Sequence, residues 1–172
     1  FKNKTVGVVG GSDSAALAAL LLSQYAEKVY IIYRKGKEDM RAEPVNRKAV
    51  EDNKKIEMIT KTNILEVKGD KFLKTAVLDT PYKGSKELAL DGLFIEVGSV
   101  PSTVLSEHLG VKLDDDGAVM VDKEKKTNVE GVFAAGDATD TVMKQAITAA
   151  SDGAIAALSA YHFIKKKSVE KY

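Results

Sequence analysis

The chain has 172 residues, 44% of them hydrophobic and 30% charged, enough for a packed core in one domain or one domain plus part of another. Its 26 Lys+Arg against 25 Asp+Glu leave a formal charge of +1, so no global field favours nucleic acid or an anionic membrane. No apolar run approaches the roughly 18 residues of a membrane-spanning helix, and the absence of cysteine excludes disulfides, thiolate metal sites and thiol chemistry by this chain itself.

With only two histidines, His108 and His162, a histidine-based metal site is not expected, and none is assigned. The chain begins at Phe1 rather than Met, so a preceding segment is expected. The string Lys165-Lys166-Lys167 reads as a solvated tail.

In chain order, Thr5 to Gly10 is a short β-branched run ending in glycine and predicts a buried parallel strand. Gly11-Ser12-Asp13-Ser14 then leads into an Ala/Leu-rich helix over Ala15–Tyr25, with Asp13 or Ser14 available to cap it. Lys28–Tyr33 is the next strand, which completes a βαβ unit with a right-handed crossover. After a polar loop from Arg34 to Glu43, Pro44 stands at the first turn of a helix running through Val45–Lys54.

Ile56–Thr60, Ile64–Val67 and Leu73–Asp79 read as short strands, with turns at Lys68–Lys71 and Pro81–Ser85 and an antiparallel return at Leu88–Leu90. Leu93 to Gly98 is a second apolar strand ending in glycine. A module boundary falls near residues 97–100. Beyond it come a Pro/Ser-containing connection with a short helix at Thr103–Leu109, a strand at Ala118–Val121 and an apolar strand over Gly131–Asp137. An Ala-rich helix over Gln145–Ile164, interrupted by Gly153, closes the series.

Gly10-Gly11-Ser12-Asp13-Ser14-Ala15 lies between strand and helix, the context that a dinucleotide-binding turn requires. Gly10 permits the tight turn, Ala15 lets helix and strand pack closely, and the helix N-terminus offers amide hydrogens to a pyrophosphate. Ser12 stands where such turns carry a middle glycine, and its side chain crowds the phosphate approach.

The second strand ends in Tyr33-Arg34-Lys35, with Arg41 seven residues beyond Arg34, where an NAD site usually carries an acidic residue. Taken alone these are basic residues on a solvated loop. Combined with the glycine turn they suit a 2′-phosphate and favour NADP over NAD. Gly98 is placed in the same site. The acidic end of Gly131–Asp137 can accept hydrogen bonds from ribityl or ribose hydroxyls.

With these residues in place, the chain resembles the low-molecular-weight thioredoxin reductases of the pyridine nucleotide–disulfide oxidoreductase group. The likeness runs through Val8–Ala15, Val29–Lys35, Arg41-Ala42, Gly92–Ile95, Gly131–Asp137 and Lys144-Gln145-Ala146-Ile147-Thr148. It implies an α/β chain in which residues 1–97 form a Rossmann-like NADPH-binding domain with a βββ meander. Residues 98–172 are then the C-terminal part of a second, FAD-binding Rossmann-like domain.

By that likeness Gly136 and Asp137 approach the ribityl-phosphate of FAD, while Lys144, Gln145 and Ala146 lie at its ring. The family usually has Arg where Lys144 stands. The N-terminal FAD segment and a Cys-x-x-Cys pair are expected ahead of Phe1, and the expected partner is either a chain carrying that missing half or a second copy of this chain covering the same apolar face. The implied enzyme is a cytoplasmic, homodimeric thioredoxin-disulfide reductase passing electrons from NADPH through FAD to a thioredoxin-like protein disulfide. The isolated chain is expected to be inactive and to retain no FAD. Two alternatives stay open: a ferredoxin–NADP reductase of the same architecture, and a non-catalytic relative. The second is motivated by Ser12 and by an Arg34–Arg41 loop about two residues longer than the family's.

Overall fold

In the computed structural model, which describes residues 1–165, the first apolar run forms strand β1 (Thr5–Val9) and the Ala-rich segment forms helix α1 (Asp13–Ser23). Strand β2 (Lys28–Tyr33) follows, then helix α2 (Pro44–Asp52), which carries Pro44 in its first turn, and strand β3 (Ile56–Thr60). Strands β4 (Ile64–Gly69), β5 (Leu73–Tyr82), β6 (Ser85–Ala89) and β7 (Gly92–Ile95) complete a compact unit that spans Phe1–Gly98.

The unit holds two sheets. One is parallel with strand order β3-β2-β1-β7; the other is an antiparallel meander of order β4-β5-β6. Mixed α/β architecture with a three-strand meander therefore agrees with the sequence reading. Period-two alternation along β2 explains how the layers assemble. Val29 and Ile31 join the buried cluster with Ala15, Ala16 and Ala19 of α1 and Val50 of α2. Ile32 joins the opposite cluster with Ala76 and Leu78 of β5 and Leu88 of β6.

Ile31 and Ile32 are both completely buried, each burial stabilising by about 1.5–3 kcal/mol. A one-residue slip of β2 would exchange the two faces. Small residues on α1 matter because they let the helix sit close to β1, which fixes where its N-terminus points.

Several boundaries differ from the sequence reading: β4 runs on to Gly69, β6 is Ser85–Ala89 rather than Leu88–Leu90, and β7 ends at Ile95 rather than Gly98. Strand β5 continues through Pro81 and Tyr82, so the turn narrows to Lys83-Gly84. Their φ values of 51° and 85° are those of a two-residue type I′ hairpin, whose twist matches the flanking strands. Helix α1 starts at Asp13 behind an N-cap Ser12 whose side chain makes no capping hydrogen bond, so neither Asp13 nor Ser14 caps it.

The second unit begins at Ser99 and contains helix α3 (Val104–His108) and helix α4 (Ala146–Ile164). Gly153 does not interrupt α4, where nothing approaches the position a Cβ would take. The strands expected at Ala118–Val121 and Gly131–Asp137 are absent as ladders. Val119 makes isolated bridges to Leu113 and Thr139, and Phe133 one to Lys126. The backbone here is satisfied by scattered bonds instead, such as Ala134 N–H to the Lys125 carbonyl at 3.1 Å and Val132 N–H to that of Val129 at 3.1 Å. Gly136–Ala138 is a single 3-10 turn. Of the basic string at the C-terminus, Lys166 and Lys167 lie outside the described residues.

Candidate functional site

The carboxyl ends of β1, β2 and β7 open onto one cleft, with the β3–β4 connection and β4 forming its far wall. Its volume is about 620 Å³, within the range of small-molecule sites. Crevices at the carboxyl ends of parallel strands are where α/β sheets bind ligands.

The floor is the turn from β1 to α1. Gly10 has φ +151°, and a Cβ there would stand 2.2 Å from the Glu96 carbonyl oxygen and 2.9 Å from Ala15 Cβ. Only glycine lets the chain turn this closely between β7 and α1. A Cβ on Gly11 would fall 2.2 Å from the Tyr33 ring, so that ring closes over the turn. The N–H groups of the first turn of α1 have no partner within the helix, which makes this end of the cleft suited to an anion.

Gly10, Gly11, Ser12, Arg34, Lys35 and Arg41 all line the cleft, so the structure brings together the glycine turn and the three cations. The connection from Arg34 to Glu43 contains a 3-10 turn at Lys37–Asp39, held by Gly36 N–H on the Asp39 carboxylate at 3.0 Å. Arg41 N–H donates to the Gly11 carbonyl at 2.7 Å, which docks the loop on the turn.

The other four residues expected at this site are not among those that line the cleft, although Asp13, Ser14 and Ala15 form the first turn of α1 at its floor. Ala15 is fully buried against the sheet, and Ser14 is exposed. Gly98 is exposed with φ +104° and nothing near its absent Cβ. The Asp13 carboxylate accepts hydrogen bonds from Asn46 Nδ2 at 2.7 Å and Glu43 N–H at 2.9 Å, and these hold its pKa below the usual aspartate value.

Sequence reasoning missed the far wall: Thr62, Asn63, Leu65, Glu66 and Val67, together with Ile95 at the end of β7 and Val97 just beyond it. The rule of strand carboxyl ends could have found the residues after β3 and β7. Leu65, Val67, Ile95 and Val97 are apolar yet more than half exposed, which gives the cleft a side able to take a flat ring. Asn63 is fixed by two bonds to the Asp79 carboxylate, at 2.9 and 2.8 Å.

In the second unit Gly136 and Asp137 occupy the 3-10 turn facing the start of α4. Lys144 Nζ donates to the Asp137 carbonyl at 3.0 Å, Gln145 is the N-cap of α4 and Ala146 its first residue. Gly136 has φ +71°, and a Cβ there would lie 3.1 Å from Ala149 Cβ. Its N–H points at Asp152 Oδ2, 3.4 Å away, and Asp152 pairs with Lys125 at 2.7 Å. The five residues expected at the flavin thus lie around one helix end, with the Asp137, Lys144, Gln145 and Ala146 side chains exposed.

A parallel sheet, a glycine turn feeding a helix, and a cationic loop after the second strand are features shared by dinucleotide-binding α/β folds. Residues 1–153 match the family described as "Pyridine nucleotide-disulphide oxidoreductase", and the chain belongs to that family. It is similar to the thioredoxin reductase of Eremothecium gossypii, 41% identical over 169 residues that make up 96% of this chain and 52% of the relative. The Helicobacter pylori thioredoxin reductase is 39% identical over 171 residues, 96% of this chain and 54% of that protein.

Among solved structures, the thioredoxin reductase of Lactococcus lactis superposes with a TM-score of 0.84 at 34% identity, covering 96% of this chain and 55% of that one. The T. acidophilum thioredoxin reductase gives 0.79 at 36%, covering 94% and 53%. The chain therefore spans about half the length of the relatives it matches.

Proposed function

We propose that residues 1–98 bind NADPH, and that the chain is the NADPH-binding and flavin-wall portion of a cytoplasmic, homodimeric thioredoxin-disulfide reductase. The observation that carries this reading is the meeting of the glycine turn with Arg34, Lys35 and Arg41 in one cleft. The pyrophosphate would lie on the first-turn amides of α1, where backbone N–H groups and the helix dipole both favour negative charge. The 2′-phosphate would lie among the three cations, Arg34 and Arg41 being able to grip it bidentately. Leu65, Val67, Ile95 and Val97 would shield a bound ring from water.

Gly136, Asp137, Lys144, Gln145 and Ala146 are the residues that would hold FAD. Glycine at 136 lets the turn pack closely on Ala149 of α4, and the exposed Asp137 carboxylate beside it is an acceptor for hydroxyls. NADPH and FAD together supply hydride and electron transfer toward a cysteine pair, and a thioredoxin-like protein is the acceptor we propose. Having no cysteine, this chain provides recognition and orientation but no nucleophile. Any dithiol must come from residues outside it.

Calorimetric titration with NADPH and with NADH tests the reading. Tighter binding of NADPH, with the preference lost in Arg34→Ala, is expected. No binding of either nucleotide would support a non-catalytic relative instead. The 172-residue chain alone should reduce no protein disulfide; measurable turnover would contradict the proposed division of labour.

A further inference from the structure

The loop that carries Arg41 is held on the glycine turn by Tyr33, which lines the cleft, and by side chains that do not. On its near side the Tyr33 hydroxyl donates to the Asp39 carbonyl at 2.9 Å, and Arg41 N–H reaches the Gly11 carbonyl. On its far side the Asp13 Oδ1 receives both Glu43 N–H and Asn46 Nδ2. Arg47 donates from its guanidinium to the carbonyls of Lys37 at 3.2 Å and Met40 at 3.5 Å.

Asp13 is therefore the one point at which the first residue of α1 grips the segment just after Arg41. Its orientation also solves an electrostatic problem. A free carboxylate in the first turn of α1 would compete with a pyrophosphate for the same helix end. Here both known partners of that carboxylate belong to the loop and α2, and they also stabilise its charged form.

We propose that Asp13 is a positioning residue for nucleotide choice. Through Glu43 and Asn46 it holds the Arg41 loop closed on the glycine turn, so that the cations stand ready for a 2′-phosphate. This rests on the reading that residues 1–98 bind NADPH. The pyrophosphate end depends on the backbone of the β1–α1 turn, whereas the 2′-phosphate end depends on a long loop whose ordering must be supplied before or during binding. Releasing the latch should weaken the phosphorylated nucleotide selectively.

The test is calorimetry on the 172-residue chain with NADPH and NADH at low ionic strength. Asp13→Ala should raise the NADPH Kd by about tenfold, because one loop segment must then be ordered on binding, and leave the NADH Kd within about twofold. Asp13→Asn, which keeps an acceptor oxygen for both donors, should restore NADPH affinity to within about threefold.

Asn46→Asp opens the same latch from the other side by setting two carboxylates together, and decides the matter if Asp13→Ala does not fold. It should reduce the NADPH preference about as much as Asp13→Ala. Equal loss for both nucleotides in the folded variants, or an unchanged preference, would overturn this inference alone. No NADPH preference in the unaltered chain would overturn it together with the reading on which it rests.

Discussion

Replacing Gly10 by alanine probes the geometry on which the cleft depends. The added Cβ would stand 2.2 Å from the Glu96 carbonyl oxygen, so the backbone leaving β7 must retreat by roughly 1 Å to reach ordinary contact. The same Cβ meets Ala15, which is fully buried and has nowhere to move. Positive φ adds about 1–2 kcal/mol for an L residue, and overpacking adds about 1–3 kcal/mol. Gly10→Ala should therefore destabilise the first unit by about 2–5 kcal/mol.

Gly84→Ala supplies the control. Gly84 also has positive φ, +85°, but nothing lies within 4 Å of its missing Cβ. Only the backbone strain of about 1–2 kcal/mol applies there. Urea unfolding followed by far-UV circular dichroism measures both variants, and the difference between them isolates the close approach of β7 to the glycine turn. Equal destabilisation of the two variants, within about 0.5 kcal/mol, would refute the steric argument for Gly10.

Glu57 is held at a pKa of about 2, below its usual 4.5, first by Lys28, then by the Tyr82 hydroxyl and Lys83. Its stabilisation is full above the unfolded value and fades as pH falls from about 4.5 toward 2, so Glu57→Gln should flatten the acid limb of urea midpoint against pH. An unaltered acid limb would place the sensitivity elsewhere. In the second unit, Asp152→Ala removes the acceptor facing Gly136 N–H and leaves Lys125, only 15% exposed, without its carboxylate. Faster hydrogen exchange at the Gly136 amide is the expected readout, and unchanged protection would deny Asp152 a part in holding that turn. Val142 and Ile147 of this unit are 104% and 79% exposed, a surface that monomers rarely leave open when contiguous. Light scattering should find the chain self-associated and Ile147→Glu shifted toward monomer, whereas a monodisperse monomer of the unaltered chain would count against it.

The first unit was largely legible in sequence because its signals are local and mutually consistent. The β-branched runs, the glycine turn, Pro44 and the spacing of the meander each specify an element without help from distant residues. The cations after β2 were legible as chemistry, but not their docking, since the bonds from Tyr33, Asp13 and Arg47 join residues up to 33 positions apart. The far wall was missed because Thr62 to Val67 carry no motif and become cleft residues only through the crossover that puts β3 beside β2. The expected strand over Gly131–Asp137 failed for a different reason. Val132 and Phe133 favour extension, but a strand needs a continuous partner, and among the described residues this segment finds only an isolated bridge at Phe133.

Amide chemical-shift mapping of the 172-residue chain during titration with NADPH and with NADH tests the central claim most directly. With NADPH, the amides of Gly10, Gly11 and Ser12 should shift together with those of Arg34, Lys35 and Arg41. With NADH only the glycine-turn set should move strongly. Shifts confined to residues outside this cleft, or identical patterns at Arg34, Lys35 and Arg41 for both nucleotides, would contradict it.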